Sequence, residues 1–287
     1  MRTKNNFKSI MTIMLLLISV FSAKAQQNIN FGKITYNNAI NIAGKQRMLS
    51  QKMAKAYLYL ISNPTDSKAK KDLLTSKILF ERQNSFLLQN SRNKTITSNI
   101  EEVDKLFVAF KALLETTPGY TNAEKITELN TDLLMATDKT TSSIMKTSKM
   151  LSTQTDEEAL GDNVSASDKL ELQSVINAAG RQRMLSQRLA LYYYANSVMV
   201  NEKNVMRILK NTFNEVEGTL MKLMVYELNT PEIDEKIGLA LTKWNKVETQ
   251  KEKLLTKKLD KAEVYKLSDD LTRVFNDITN LYEKITL

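Results

Sequence analysis

A fifteen-residue segment occurs twice in the chain, and this repetition constrains the fold more than any other feature. The first copy, residues 40–54, reads INIAGKQRMLSQKMA, and the second, residues 176–190, reads INAAGRQRMLSQRLA. Eleven of the fifteen positions are identical, and two others exchange Lys for Arg. The sequence therefore predicts a tandem duplication of a unit of roughly 130 residues.

Composition indicates that each unit is helical. The 287 residues include only seven Gly and three Pro, too few for a turn-rich sheet. Turn and capping signals divide each unit into four helices; they lie at Asn63-Pro64, Ser98-x-x-Glu101, Pro118-Gly119, Thr121-x-x-Glu124 and Thr230-Pro231. The helices are expected near 28–62, 65–91, 98–116 and 121–153, and again near 165–198, 201–228, 231–256 and 260–286. We therefore predict an all-α protein of two tandem four-helix bundles.

The first 25 residues have the pattern of a secretory signal peptide. Three basic residues precede a 12-residue apolar stretch at 10–21, and Ala23-Lys24-Ala25 follows as a cleavage site. Because a membrane span needs about 20 apolar residues, we expect cleavage rather than retention as an anchor. The expected organisation is a signal peptide at 1–25, a first bundle at 26–160 and a second bundle at 161–287, in a periplasmic or secreted protein. Loss of the leader leaves 37 basic against 32 acidic residues, a modest charge that argues against a nucleic-acid partner.

Several classes of enzyme are excluded by residues that the chain lacks. It contains neither Cys nor His, which removes disulfides, thiolate metal sites and the usual general base. The phosphate-binding patterns GxxxxGK[ST] and GxGxxG are also absent. We therefore expect a non-catalytic protein with neither a cofactor nor a metal.

Placed on a helix, each copy of the repeat presents a small, polar face with an Arg at its centre. Arg47 is surrounded by Ala43, Gly44, Ser50, Gln51 and Ala54, and Arg183 by Ala179, Gly180, Ser186, Gln187 and Ala190. Gly inside a helix costs about 1 kcal/mol relative to Ala, so its presence in both copies predicts a close neighbour. Two such faces in contact would join two guanidiniums into a site for a small planar anion such as nitrate, with Ser, Gln and Asn completing the hydrogen bonds. The same face is also consistent with a tight helix contact in which each Arg pairs with Asp or Glu of a neighbouring helix, and spacing alone favours this second interpretation.

The repeated segment resembles the signature of the PilJ-type domain, the extracytoplasmic N-terminal domain of type IV pili methyl-accepting chemotaxis transducers. It is also similar to the motif helix of nitrate/nitrite sensor histidine kinases. The resemblance implies a four-helix sensor bundle and, for the nitrate sensors, an anion held across a dimer interface by the Arg three residues after the Gly. Here those residues are Arg47 after Gly44 and Arg183 after Gly180. The ligand-binding residues expected are Arg47, Arg183, Gly44, Gly180, Asn41, Asn177, Ser50, Ser186, Gln51 and Gln187.

Two hypotheses about function follow. The first is an exported, non-catalytic sensory protein that binds a small anion, nitrate or nitrite, between paired motif helices and has no signalling output domain of its own. Its two copies either pack face to face within one chain, as an intrachain pseudo-dimer, or pair with a second chain in a homodimer. The alternative is a helical interaction protein whose motif faces dock a membrane-bound partner without any small ligand. A membrane-bound signalling partner is compatible with both.

Overall fold

The computed structural model of the chain describes residues 30–158, 166–198 and 202–286. Within these ranges the chain is almost entirely helical, which confirms the predicted all-α class. None of the described helices combines the length and the apolar composition that a membrane span requires. The expected signal peptide at 1–25 and the expected boundary at 160 and 161 lie outside the described residues, so the division into domains stays a prediction.

A short hairpin precedes the first helix. Strand β1 (Asn30–Phe31) pairs with strand β2 (Ile34–Thr35). Between them Gly32 has a φ of 64°, and a Cβ added there would lie 2.4 Å from the carbonyl oxygen of Asn90. A residue with a side chain does not fit this turn. The prediction of a helix over residues 30–35 is therefore wrong, because the backbone reverses at Gly32.

Four helices follow in the first copy and five in the second, counted over the described residues. The first copy contains α1 (Tyr36–Ser62), α2 (Ser67–Asn90), α3 (Lys94–Leu114) and α4 (Tyr120–Glu158). The second contains α5 (Ala166–Val198), α6 (Glu202–Met224), α7 (Pro231–Glu248), the short α8 (Lys251–Leu255) and α9 (Lys261–Glu283). The repeated segment lies in α1 and α5. The single helix expected over 231–256 is divided into α7 and α8.

The helix caps agree with the sequence signals only in part. Thr230 is the N-cap of α7, as predicted, and its hydroxyl accepts a hydrogen bond from a backbone N–H of the first turn. The N-cap of α2 is Asp66 rather than Asn63, because Asn63 ends α1. The N-cap of α3 is Asn93, five residues before the cap expected at Ser98. For α2 and α3, a nearby residue therefore takes the role of the expected cap.

Helices α1 and α5 pack against each other at the centre of the molecule. Gln51 accepts a hydrogen bond of 3.3 Å from Arg188, and the rings of Tyr59 and Tyr194 lie 5.4 Å apart. Both pairs join positions about 136 residues apart, the spacing of the repeat, so the two helices run parallel and in register. Of the two arrangements left open by the sequence, the structure shows the motif helices packed together within one chain.

The remaining helices surround this central pair. Helices α2 and α4 pack on α1, and α6 and α9 pack on α5. Equivalent aromatic pairs fill the outer part of each copy: Phe80 on Phe107, with ring centroids 4.3 Å apart, and Phe213 on Trp244, with centroids 4.7 Å apart. Helices α4 and α9 run antiparallel to the motif helix of their own copy. Each places one polar residue beside the motif arginine.

Candidate functional site

Arg47 is buried in the contact between α1 and α5. Its side chain is 1% exposed, and its Nη1 donates to Oδ1 of Asp138 on α4 at 2.7 Å. Its Nη2 donates to Oδ1 of Asn177 on α5 at 2.6 Å. The Nε of Arg47 is buried and finds no hydrogen-bond partner among the described residues. Since Asp138 is 44% exposed, this ion pair extends from the interior toward the surface.

Arg183 occupies the equivalent position on α5 but pairs with amides instead of a carboxylate. Its Nη1 donates to Oδ1 of Asn41 at 2.8 Å and to Oδ1 of Asn276 on α9 at 3.2 Å, and its Nη2 donates to the carbonyl oxygen of Asn41 at 3.3 Å. The side chain is fully buried. Glu283 accepts a hydrogen bond from the side-chain amide of Asn41. Burial lowers the pKa of Arg183, and the negative charge of Glu283 opposes this effect.

The two guanidiniums converge over Gly44. The Nη2 atoms of Arg47 and Arg183 both lie 3.3 Å from the position that a Cβ would take at Gly44. At Gly180 the same Arg183 nitrogen lies 3.0 Å from the Cβ position. The distance between the two Nη2 atoms is therefore at most twice 3.3 Å. Each glycine makes room for a guanidinium, and at Gly180 this is the guanidinium of Arg183 on the same helix.

Burial and proximity disfavour the positive charges of this arginine pair, Arg47 and Arg183. Burial, and then the charge of Arg47, lower the pKa of Arg183 to about 9, so it stays charged at neutral pH. Burial also lowers the pKa of Arg47, although Asp138 opposes this. Burial and then Arg183 lower the pKa of the neighbouring Lys45, with Glu283 acting in the opposite direction. Three positively charged side chains, Arg47, Arg183 and Lys45, thus lie near one another here.

The asparagines join this site, whereas the serines do not. Asn41 and Asn177 reach across the interface reciprocally, each accepting a hydrogen bond from the arginine of the other copy. Ser50 and Ser186 donate to backbone carbonyls of their own helices and so do not face the arginine pair.

The glutamines also point elsewhere. Gln51 donates to Oδ1 of Asn130 on α4 at 2.7 Å, and Gln187 donates to the hydroxyl of Thr272 on α9 at 2.7 Å. These contacts tie each motif helix to the last helix of its own copy. The arginines, glycines and asparagines expected from the sequence therefore lie together, and the serines and glutamines support the helices around them.

Sequence reasoning missed a second buried charged group between the copies. Lys55 on α1 is 0% exposed and donates to Asp269 on α9 at 2.7 Å and to Ser268 at 3.0 Å. Its Nζ lies 3.7 Å from the ring centroid of Tyr265. Burial lowers the pKa of Lys55 to about 8 in spite of Asp269. One sequence signal was present: 136 residues later the second copy has Leu191 in place of this lysine.

The chemistry that the arginine pair supports is the binding of an acceptor. Two planar forks, each able to donate five hydrogen bonds, lie close together in a desolvated place, and among the described residues a single carboxylate is bonded to them directly. Within residues 30–158, 166–198 and 202–286, no three carboxylates come together as a candidate metal site. An oxyanion is the ligand that matches such forks.

Comparison with known families agrees with the duplication seen in the sequence. A sequence model of the family described as the type IV pili methyl-accepting chemotaxis transducer N-terminal domain, PilJ, matches residues 36–127 and 166–269. Each match begins at a motif helix and extends into the last helix of that copy. Together the matches cover more than half of the chain, in two tandem copies. No curated protein and no solved structure matches it.

Proposed function

The chain belongs to the PilJ family, the N-terminal domains of type IV pili methyl-accepting chemotaxis transducers, and on this premise we propose that it senses a small anion, nitrate or nitrite, bound between α1 and α5. The family is one of sensory domains rather than of enzymes. The observation that carries the proposal is the convergence of two buried guanidiniums to which, in the part of the chain that the structure describes, only one carboxylate is bonded. A buried charge that lacks a counter-ion is costly, and an anion at this place would supply one.

Hydrogen-bond geometry supports the same proposal. The Oδ1 atoms of Asn41 and Asn177 now accept from the two arginines and mark positions that the oxygens of an anion would take. The unpartnered Nε of Arg47 offers a further donor. A planar anion with three or two oxygens suits guanidinium forks, which donate in a plane.

Thermal unfolding in the presence of different anions tests this function. A ligand at 100 times its dissociation constant stabilises the folded state by about 2.7 kcal/mol, and 1 kcal/mol shifts the midpoint of a chain of this size by roughly 2–4 °C. We expect nitrate or nitrite to raise the midpoint by several degrees more than chloride at matched ionic strength. Trp244, the only tryptophan, is buried and reports unfolding through its fluorescence.

Two double variants locate the effect. Arg47→Gln/Arg183→Gln removes the arginine pair, and Arg82→Gln/Arg207→Gln removes the same charge from exposed positions on α2 and α6. The stabilisation by nitrate or nitrite should vanish in the first variant and persist in the second. Equal shifts with every anion, or equal loss in both variants, would rule out a specific site at the arginine pair.

We also propose that the protein acts outside the cytoplasm, as its leader pattern at 1–25 suggests. Intact mass measurement of protein from the native envelope tests this. A mass that corresponds to a chain beginning at Gln26 supports export, and a mass that retains residues 1–25 in a cytoplasmic fraction contradicts it.

Docking to a membrane-bound partner is the second candidate function. The motif faces are buried against each other, so a partner would need another surface. Helix α2 offers one, because it carries exposed large apolar side chains at Leu74, Ile78, Leu79, Phe86 and Leu88. Pull-down from envelope extracts with the wild type and with Ile78→Ser/Phe86→Ser tests this candidate. A partner retained equally by both proteins excludes this surface.

A further inference from the structure

The two halves of the arginine pair differ in one respect that the repeat does not show. On α4, Asp138 accepts from Arg47, whereas at the equivalent place on α9, Asn276 accepts from Arg183. The two residues are 138 positions apart, as are Asn130 and Ser268, which contact Gln51 and Gln187 in the two copies. A carboxylate in one copy thus corresponds to a neutral amide in the other.

This difference determines the charge of the site. Arg181 also acts on Arg47, but it is paired with Glu215 and adds no net charge. Apart from that pair, the charged side chains at the arginine pair, among the described residues, are three cations (Arg47, Arg183 and Lys45) and two carboxylates (Asp138 and Glu283). One positive charge therefore remains in excess, and it falls on the side of Arg183, to which none of the described carboxylates is bonded. One monovalent anion would balance the site.

We propose that Asp138 is the residue that sets the valence of the ligand: by neutralising Arg47 it restricts the arginine pair to one monovalent anion and excludes dianions. The inference rests on the proposed function, since it concerns the same site. A dianion at this place would leave an uncompensated negative charge in a desolvated interior, and burying an unpaired charge costs several kcal/mol. In addition, the Asp138 carboxylate would repel a second negative charge at close range, where screening by water is weak.

The position of Asp138 fits this role. Its carboxylate is 44% exposed whereas Arg47 is 1% exposed, so it lies between solvent and the buried guanidinium. Arg181, with Nη1 at 3.8 Å, is a second cation near the same carboxylate. An anion that approaches from this side meets Asp138 before it meets the arginine pair.

A charge-swap series tests the proposal. The four proteins are wild type, Asp138→Asn, Asn276→Asp and the double variant Asp138→Asn/Asn276→Asp, and the measurement is calorimetric titration with nitrate and with sulfate. Wild type should bind nitrate at least tenfold more tightly than sulfate. Asp138→Asn, which leaves two positive charges in excess, should shift the ratio of the two affinities toward sulfate by at least tenfold. Asn276→Asp, which leaves none, should weaken nitrate binding at least tenfold.

The double variant separates the number of charges from their local effects. It restores one positive charge in excess, now on the side of Arg47, and should recover the preference of the wild type for nitrate. Asp132→Asn is the matched control, because it removes a carboxylate from an exposed position on the same helix and should leave the ratio unchanged. Because the readout is a change in ratio, the different shapes of nitrate and sulfate cancel.

The outcomes distinguish this inference from the proposed function. If wild type binds nitrate at the arginine pair but Asp138→Asn keeps the same ratio, the role of Asp138 is refuted and the anion site stands. Arg47→Gln/Arg183→Gln should bind neither anion. If the wild type also binds neither, the role of Asp138 and the anion site are both refuted. Should Asp138→Asn fail to fold, Asn276→Asp decides, because nitrate binding as tight as that of the wild type in that protein contradicts control by charge number.

Discussion

Replacement of Gly44 by Ala tests whether the arginine pair is as closely packed as its geometry indicates. Alanine favours a helix over glycine by about 1 kcal/mol when nothing obstructs its methyl group. At Gly44 the methyl carbon would lie 3.3 Å from Nη2 of both Arg47 and Arg183. Both guanidiniums would have to move by a few tenths of an ångström.

The expected cost follows from the hydrogen bonds that this movement weakens. Arg47 donates through Nη2 to Asn177 at 2.6 Å, and Arg183 donates through Nη2 to the Asn41 carbonyl at 3.3 Å. A hydrogen bond from a charged group contributes about 1.5–3 kcal/mol, so weakening two of them outweighs the helix gain of about 1 kcal/mol. We expect Gly44→Ala to lower the free energy of unfolding by roughly 1–3 kcal/mol.

Gly238 provides the matched control. It also lies within a helix, α7, and a Cβ added there meets no atom within 4 Å. Gly238→Ala should therefore stabilise the protein by about 0.5–1 kcal/mol. Urea unfolding followed by Trp244 fluorescence and by circular dichroism measures both variants. Stabilisation of Gly44→Ala equal to that of Gly238→Ala would refute the reasoning, since it would mean that the guanidiniums have room to spare.

Three further predictions concern other parts of the molecule. Burial lowers the pKa of Lys55 from 10.5 to about 8, so between these pH values the unfolded chain binds more protons than the folded chain. The free energy of unfolding of the wild type should therefore rise with pH relative to that of Lys55→Met, by about 2 kcal/mol from pH 8 to pH 10 in urea titrations. A flat difference between the two proteins would show that Lys55 is not desolvated. Asp269→Asn leaves Lys55 buried without its carboxylate and should lower the free energy of unfolding by about 3–5 kcal/mol in the same assay. A loss of less than about 1 kcal/mol, as for an exposed ion pair, would contradict the pairing. Asn93→Ala removes the N-cap of α3, which accepts from two backbone N–H groups, and should lower stability by about 1 kcal/mol, whereas Ser98→Ala should not.

The repeat and the composition predicted the main features of the fold. The segment at 40–54 and its copy at 176–190 indicated a duplication, and scarce Gly and Pro indicated helices. The convergence of Arg47 and Arg183 is one of the two arrangements that the same segment left open, and the pairing of Arg47 with Asp138 belongs to the other. Local signals were weaker at the boundaries, where Asn93 and Asp66 compete with the caps that the sequence suggested.

The residues around the arginine pair could not be predicted in the same way. Asp138 and Asn276 contact their arginines over sequence separations of 91 and 93 residues. Their positions depend on how α4 and α9 are rotated about their own axes, which no local pattern fixes. Asn41 lies on the same helix as Arg47 but accepts a hydrogen bond from Arg183 of α5, and this partner too depends on how the helices pack. The duplicated segment thus identified the arginines but not what balances their charge.

Because α1 and α5 pack together within one chain, the arginine pair should persist when the protein is diluted. Both arginines of the site are carried by the same polypeptide, so their meeting is an intramolecular event with an effective concentration set by the connecting helices. A contact between two identical chains is lost as the subunits separate at low protein concentration, whereas the contact between α1 and α5 does not depend on that concentration. The two halves are also free to acquire different residues by mutation, because a change in one copy does not appear in the other.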